Sequence, residues 1–344
     1  MSPDYNSTVC HCLPAARLRC LNRAIDGSTL VWVVLLSLLF TGVEQAIAST
    51  FSQLVVFGDS LSDAGNHLAV LGIPQPPYDN GQFSNGPVWV SQFATKLGVP
   101  IPTASLAGGT NYAYGGAETG NGFSRYQSSI PNTGNQINTY LSGHTPNASQ
   151  LFVVFGGHNN FLLGGTDPTV PVADMVNEIT TLANAGAKSF LVSTLMPLGE
   201  IPKVVGGPYE AILNTLTVEF NTRLTSQLAQ LRTTLGVNIY EFDTYGVVED
   251  MLARPGSYGL TNVTQRAYTG GSDPGGYGGG GSIVSNPANY LFWDNVHPTS
   301  TAQQYFANAA LDAVLGVPEP STYAMALAGL ACGGYSLFRR RRAC

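Results

Sequence analysis

The sequence predicts an α/β protein built on a mostly parallel, doubly wound sheet. Short continuous apolar runs alternate with segments of helical period, and such runs suit parallel strands that are covered on both faces. The strand candidates are residues 54–57, 151–155, 190–195 and 237–242. The helix candidates are residues 88–97, 172–184, 209–235 and 301–315. Ligands of doubly wound sheets bind beyond the carboxyl ends of the strands, so the residues after each run are the first to inspect.

Each element has its own signal in the chain. The first strand, Leu54-Val55-Val56-Phe57, stops at Gly58, and the second, over 151–155, stops at two glycines. The two later strands are bounded by helical segments. The longest helix candidate has one apolar stripe at i, i+4 spacing. Its members are Ile212, Leu216, Phe220, Leu224, Leu228 and Leu231.

Two stretches interrupt this alternation. Residues 100–150 are rich in Gly, Asn, Ser and Thr and are predicted to form a long irregular excursion. Residues 270–282 are glycine-rich and predicted to be a flexible rim. Gly276, Gly278 and Gly281 match the spacing G-x-G-x-x-G, but neither a strand before them nor a helix after them supports dinucleotide binding.

Composition excludes some classes of protein. The chain has 344 residues, a net charge of −6 and only 10% charged residues, which argues against a nucleic-acid partner because phosphates must be neutralised. Hydrophobic residues make up 44%, enough for a large core and too many for a disordered chain.

The first 48 residues are predicted to be a secretory signal peptide. Three arginines (Arg17, Arg19 and Arg23) precede an uncharged apolar run over 30–40, and the small-x-small site Ala46-Ile47-Ala48 follows it. At eleven residues, the run is short for a membrane span. A buried core helix is the alternative interpretation of the run.

The other end, 317–344, has three parts in order. Pro318-Glu319-Pro320 is followed by an apolar stretch and then by four arginines, Arg339 to Arg342. This order resembles the PEP-CTERM sorting signals of Gram-negative bacteria. The resemblance implies export across the inner membrane, transient membrane association, removal of the segment by an exosortase-type sorting enzyme, and a cell-surface or extracellular product. A permanent membrane anchor is the alternative.

The predicted catalytic body is therefore 49–316. All five cysteines (Cys10, Cys12, Cys20, Cys332 and Cys344) lie outside it, which excludes a disulfide, a thiol nucleophile or a cysteine metal site within it. It holds eight Lys and Arg against 17 Asp and Glu, a net charge of −9.

Candidate chemistry lies at strand ends. Ser60 directly follows the first strand, as a nucleophile or as a helix N-cap. Asp294 precedes His297 by three residues, a spacing at which the carboxylate can orient the imidazole. Asp-x-x-His alone also fits a surface turn or half of a metal site, but no histidine cluster accompanies it.

Four ordered blocks together resemble the GDSL esterase/lipase family, also called SGNH hydrolases. They are Gly58-Asp59-Ser60-Leu61-Ser62-Asp63-Ala64-Gly65-Asn66, Asn111-Tyr112-Ala113-Tyr114-Gly115-Gly116-Ala117, Gly157-His158-Asn159-Asn160 and Trp293-Asp294-Asn295-Val296-His297-Pro298. The resemblance implies a three-layer α/β/α sandwich with a flavodoxin-like sheet, and no cofactor. It also implies a catalytic set of Ser60, Asp294 and His297, with an oxyanion hole from Ser60, Gly116 (or Gly115, one residue away) and Asn159.

The third block departs from the family pattern. It usually ends in Asp, where this chain has Asn160, which puts rate and loop rigidity in doubt. Asp59 and Asp63 are interpreted as turn residues, and His158 as a residue beside the pocket rather than a catalytic one. For three aromatic side chains near the first block (Tyr78, Phe83 and Trp89), a substrate surface and core packing both remain open as interpretations.

The predicted function is hydrolysis of carboxylic esters (lipid or short-chain acyl esters) through an acyl-enzyme. One alternative keeps the chemistry and changes the substrate to an O-acetylated extracellular polysaccharide. The other is a non-catalytic surface protein that binds glycans in a biofilm, which the intact five-residue set disfavours.

Overall fold

The computed structural model describes residues 51–272 and 276–316. The predicted signal peptide, 1–48, and the predicted sorting segment, 317–344, lie outside the described residues, so these domain boundaries stay predictions. Among the described residues, no helix has both the length and the apolar character that a membrane span requires.

The centre of the fold is a parallel sheet. Its strands are, in spatial order, β1 (Gln53–Gly58), β2 (Gln150–Phe155), β3 (Ser189–Ser193) and β4 (Asn238–Phe242). The segment 110–114 extends the sheet beyond β1, because the Val56 N–H donates to the Thr110 oxygen (3.0 Å) and the Tyr112 N–H donates to the Val56 oxygen (2.7 Å). With this edge included, the spatial order by chain position is 2-1-3-4-5. The doubly wound, flavodoxin-like prediction is therefore confirmed.

Eight α-helices and two small sheets complete the described part. The helices are α1 (Asn66–Leu71), α2 (Trp89–Leu97), α3 (Thr133–Gly143), α4 (His158–Leu162), α5 (Thr169–Asn184), α6 (Glu210–Leu235), α7 (Thr244–Ala253) and α8 (Ser300–Leu315). Strand β5 (Asn262–Arg266) pairs in parallel with β8 (Tyr290–Phe292), and β6 (Gly271–Ser272) pairs antiparallel with β7 (Gly276–Tyr277).

Helices cover both faces of the parallel sheet. Phe152 and Phe155 of β2 are an odd number of residues apart and so point to opposite faces. Phe155 packs on Trp89 of α2, whereas Phe152 packs edge-on against Tyr140 of α3. α2 also packs against α8 on its side, and α3 and α6 both pack against α5 on the other. The three-layer α/β/α architecture follows from these contacts.

Two sequence expectations are wrong. Residues 100–150 are not irregular throughout, since α3 lies within them. Ile212 is 48% exposed, and Leu213 takes its place in the buried stripe of α6. Four residues advance an α-helix by about 400°, so an i, i+4 row rotates by about 40° per step and is about 160° off after the four steps from Leu228 back to Ile212.

Candidate active site

The turn that carries Ser60 starts from a tightly held strand end. A Cβ on Gly58 would lie 2.6 Å from the Phe155 carbonyl oxygen, so this position requires glycine. The Gly58 N–H donates to Gln136 Oε1 and Gln136 Nε2 donates to the Gly58 oxygen, both at 2.9 Å. The side chain of Gln136 thus holds the backbone of Gly58, the last residue of β1, immediately before Asp59 and Ser60.

Ser60, His297 and Asp294 form one hydrogen-bonded line. Ser60 Oγ lies 2.8 Å from His297 Nε2, and His297 Nδ1 lies 2.8 Å from Asp294 Oδ2 and 3.0 Å from Oδ1. Because a carboxylate can only accept, Nδ1 carries the proton and Nε2 is free to accept from the serine hydroxyl. The three residues, from both ends of the predicted body, thus have the arrangement that general-base activation of a serine requires.

Asp294 is a fully buried carboxylate with every oxygen engaged. Oδ1 accepts from the N–H groups of Val296 (2.8 Å) and His297 (2.7 Å), and Oδ2 also accepts from the Tyr78 hydroxyl (2.7 Å). Burial alone would raise the pKa of Asp294, but His297 and these hydrogen bonds hold it below its ordinary value. Asp294 is therefore suited to stay ionised beside the imidazole.

Ser60, Gly116, Asn159 and His297 line the same cleft, whose volume, with its open mouth, is about 430 Å³. The remaining lining is mainly aromatic (His67, Phe83, Tyr126 and Tyr277) and aliphatic (Leu162, Leu163 and Val296). Asn159 Nδ2 donates to the Ala117 oxygen at 2.9 Å. This bond uses one of the two N–H groups of the Asn159 amide, and the second N–H group is a candidate donor to a substrate. All five predicted site residues are brought together.

The Gly115 and Gly116 alternatives differ in their hydrogen bonds. The Gly115 N–H donates to Asp63 Oδ2 (2.8 Å) and its oxygen meets His67 Nδ1 (2.8 Å), so Gly115 is fully engaged. Gly116 has φ +79°, a conformation that favours glycine. The geometry leaves Gly116 as the candidate oxyanion donor.

Asp63 links the first two blocks. Its carboxylate accepts from the N–H groups of Gly65, Asn66, His67 and Gly115 at 2.7–3.1 Å. Burial still raises its pKa to about 6. Asp63 is thus a turn residue, as predicted, with one further contact across the site.

Two other histidines lie close to the site without joining the line. His158 Nδ1 is 3.1 Å from Asp59 Oδ2, and its ring stacks on Phe155. His67 lines the cleft, and burial lowers its pKa to about 4. Asp59 immediately precedes Ser60, and His158 immediately precedes Asn159. Their contact therefore connects the turn that carries Ser60 to the turn that carries Asn159.

The three aromatic side chains near the first block have different environments. Trp89 is core, with no exposed surface. Phe83 lies in the cleft, 5.0 Å from the His297 ring, and Tyr277 packs on both Phe83 and His297. The bond from Tyr78 to Asp294 could not be predicted from the sequence, because 216 residues separate the two and no local pattern links them.

No group of three or more His, Cys, Asp or Glu side chains within 51–272 and 276–316 is arranged to hold a metal ion.

Comparison with known proteins gives two family matches. Residues 54–310 match the GDSL-like lipase/acylhydrolase family, and residues 316–342 match the PEP-CTERM protein-sorting motif. The esterase EstA of Pseudomonas aeruginosa is 31% identical over 334 residues, which cover 81% of this chain and 49% of EstA. The phosphatidylcholine-sterol acyltransferase of Aeromonas hydrophila is 30% identical over 248 residues, which cover 70% of this chain and 72% of the relative.

The chain thus spans about half the length of EstA. Among solved structures, a carbohydrate acetylesterase from Sinorhizobium meliloti aligns with 77% of this chain and 99% of its own, at 16% identity and a TM-score of 0.41.

Proposed function

The chain belongs to the GDSL-like lipase/acylhydrolase family, and from this premise we propose that it is an exported serine hydrolase of carboxylic esters. The observation that carries the proposal is the line from Ser60 through His297 to Asp294, in a cleft that also holds Gly116 and Asn159. The first step is attack by Ser60 Oγ on the ester carbonyl while His297 Nε2 takes the hydroxyl proton. Asp294 holds the proton-bearing Nδ1 and stabilises the imidazolium that forms.

Charge then develops on the carbonyl oxygen of the substrate. The N–H groups of Ser60 and Gly116 and the remaining N–H of Asn159 supply three donors for it. One such donor lowers the barrier by about 3 kcal/mol. His297 next protonates the leaving alcohol, and a water activated by the same imidazole hydrolyses the acyl-enzyme.

We assign short acyl groups to this site. The cleft is small, and Leu162 and Leu163, which follow Asn159 closely in the chain, give its lining an aliphatic part for the acyl chain. An O-acetyl group on a polysaccharide, the smallest such acyl group, therefore belongs in the same test.

The test is labelling by a fluorophosphonate probe together with hydrolysis of p-nitrophenyl esters from acetate to palmitate. Wild type should react at Ser60 and prefer acetate and butyrate to palmitate. Ser60→Ala should lose both activities, and Asn159→Ala should lower kcat by about 10²–10³. Ser62→Ala is the matched control, because its hydroxyl accepts from Trp89 Nε1 instead of lining the cleft.

Unchanged turnover in Ser60→Ala would overturn the assignment. Absence of labelling in wild type would favour the non-catalytic glycan-binding alternative. A palmitate preference would contradict the assignment of short acyl groups alone, and acetate release from an acetylated glycan would select the polysaccharide substrate.

Export is the second half of the proposal. The signal-peptide pattern over 1–48 and the match of 316–342 to a sorting motif support it. We propose that an exosortase-type enzyme recognises the C-terminal segment and that the catalytic body, 49–316, functions at the cell surface or outside the cell.

A further inference from the structure

The hydroxyl of Tyr78 lies 2.7 Å from Asp294 Oδ2, and both side chains are buried. We propose that Tyr78 is a positioning residue of the hydrolytic site, which acts on His297 through Asp294. This inference rests on the proposed function.

Tyr78 is the donor to Asp294 that comes from another part of the chain. The others come from the turn of Asp294 itself, namely the N–H groups of Val296 and His297 and the imidazole Nδ1. The Tyr78 hydroxyl and the imidazole share Oδ2, so Tyr78 fixes the oxygen that holds the imidazole. Without this hydroxyl, Oδ2 would keep only the imidazole, and the carboxylate would be held by the residues of its own turn alone.

The direction of the Tyr78 hydroxyl is itself fixed by packing. Tyr78 meets Trp293 edge-on (6.0 Å, 90°) and Tyr268 edge-on (5.8 Å, 82°), in a cluster that also contains Phe83 and Tyr277. Burial and the charge of Asp294 raise the pKa of Tyr78, which keeps the phenol protonated. The phenol is therefore a permanent donor with one available geometry.

The hydrogen bond has an electrostatic consequence at His297. The phenol dipole offsets part of the Asp294 charge that stabilises the imidazolium, so its removal strengthens the attraction between Asp294 and a protonated His297. The other ionisable groups around this pair are His67, Tyr268 and Tyr277, and all three side chains are retained when Tyr78 is changed to Phe. Loss of the hydroxyl should therefore shift the acid limb of the kcat/KM profile to higher pH.

The experiment compares Tyr78→Phe with Tyr268→Phe in the full chain. Tyr268 belongs to the same cluster, but its hydroxyl donates to the Gly280 oxygen and not to Asp294. With p-nitrophenyl acetate, Tyr78→Phe should lower kcat/KM about tenfold, as expected for loss of a hydrogen bond to a charged group, and shift the acid limb upward. Tyr268→Phe should leave the acid limb where it is.

A second pair of variants separates positioning from general destabilisation. In an Asp294→Ala background, Tyr78→Phe should cause little further loss, because the hydroxyl no longer has a carboxylate to hold. If Tyr78→Phe does not fold, a fluorinated tyrosine at position 78 keeps the ring, donates more strongly and should shift the acid limb to lower pH.

The proposal is overturned if the acid limb stays in place in both the Phe and the fluorotyrosine variants. It is also overturned if the losses of kcat/KM caused by Tyr78→Phe and by Asp294→Ala simply add in the double variant. Fluorophosphonate labelling of wild-type Ser60 distinguishes failure of this proposal from failure of the proposed function. Without that labelling, the proposed function itself is wrong.

Discussion

Asn160 stands where the family pattern has Asp, and the structure predicts that restoring the acid destabilises this chain. Asn160 Nδ2 donates to Thr119 Oγ1 (3.0 Å), and that hydroxyl donates to Asp174 Oδ2 (2.9 Å). The Thr119 N–H donates back to Asn160 Oδ1 (3.0 Å). The polar chain thus runs in one direction, from the amide through the hydroxyl to the carboxylate.

Asn160→Asp removes the amide donor, and Thr119 has a single hydroxyl proton to share. Either the new carboxylate, which is buried, or Asp174, which is partly buried, then faces an oxygen lone pair. A hydrogen bond to a charged group is worth about 1.5–3 kcal/mol, and the loss leaves one of the two carboxylates with one donor fewer. Burial already raises the pKa of Asp174, so a second carboxylate nearby adds repulsion. We expect the substitution to cost about 2–3 kcal/mol of unfolding free energy.

Urea unfolding at pH 7 measures this cost, and p-nitrophenyl acetate turnover shows whether Asn159, the next residue, is displaced. The sharper variant is the exchange Asn160→Asp with Asp174→Asn, which reverses the chain. The amide at 174 then donates to Thr119 Oγ1, whose proton passes to the carboxylate at 160. The double variant should recover most of the lost stability. A single variant as stable as wild type, or an exchange no better than the single variant, would refute the reasoning.

Two further predictions concern the pH dependence of stability and the fate of the C-terminal segment. Burial raises the pKa of Glu178 from 4.5 to about 7, so the folded chain binds this proton more tightly than the unfolded chain does. The free energy of unfolding therefore falls by about 3 kcal/mol as pH rises from about 4.5 to 7. Glu178→Gln should remove that loss, as measured by urea unfolding of the variant and of wild type at pH 4.5 and 8. An equal change in the free energy of unfolding between these two pH values in both proteins would contradict the prediction. In a host that has the exosortase system, the full chain should be shortened at its C-terminus and reach the cell surface or the medium. Deleting residues 317–344 should prevent this sorting, and an unchanged distribution would refute sorting by this segment.

The strands and long helices were predictable because apolar periodicity follows directly from burial. The four sheet strands lie within two residues of their predicted ends, and α2, α5, α6 and α8 were all foreseen. The helix α3 was missed because its sequence, TGNQINTYLSG, is polar and includes two glycines. Its stability comes from contacts such as those of Gln136 with Gly58 and of Tyr140 with Phe57, which no local pattern reveals.

The motifs identify some residues of the site, and the choice between the two glycines requires the geometry of the structure. The motifs supplied Ser60 and His297 and favoured Gly116 as the oxyanion donor, with Gly115 as the alternative at a one-residue slip. Asp63 distinguishes them, because three of its donors are local and the fourth is the Gly115 N–H, 52 residues away. A carboxylate that organises its own turn thus also engages the N–H of the first glycine, which leaves the second as the candidate donor to a substrate. The choice depends on a contact between two blocks, which exists only once both have been folded onto the carboxyl edge of the same sheet.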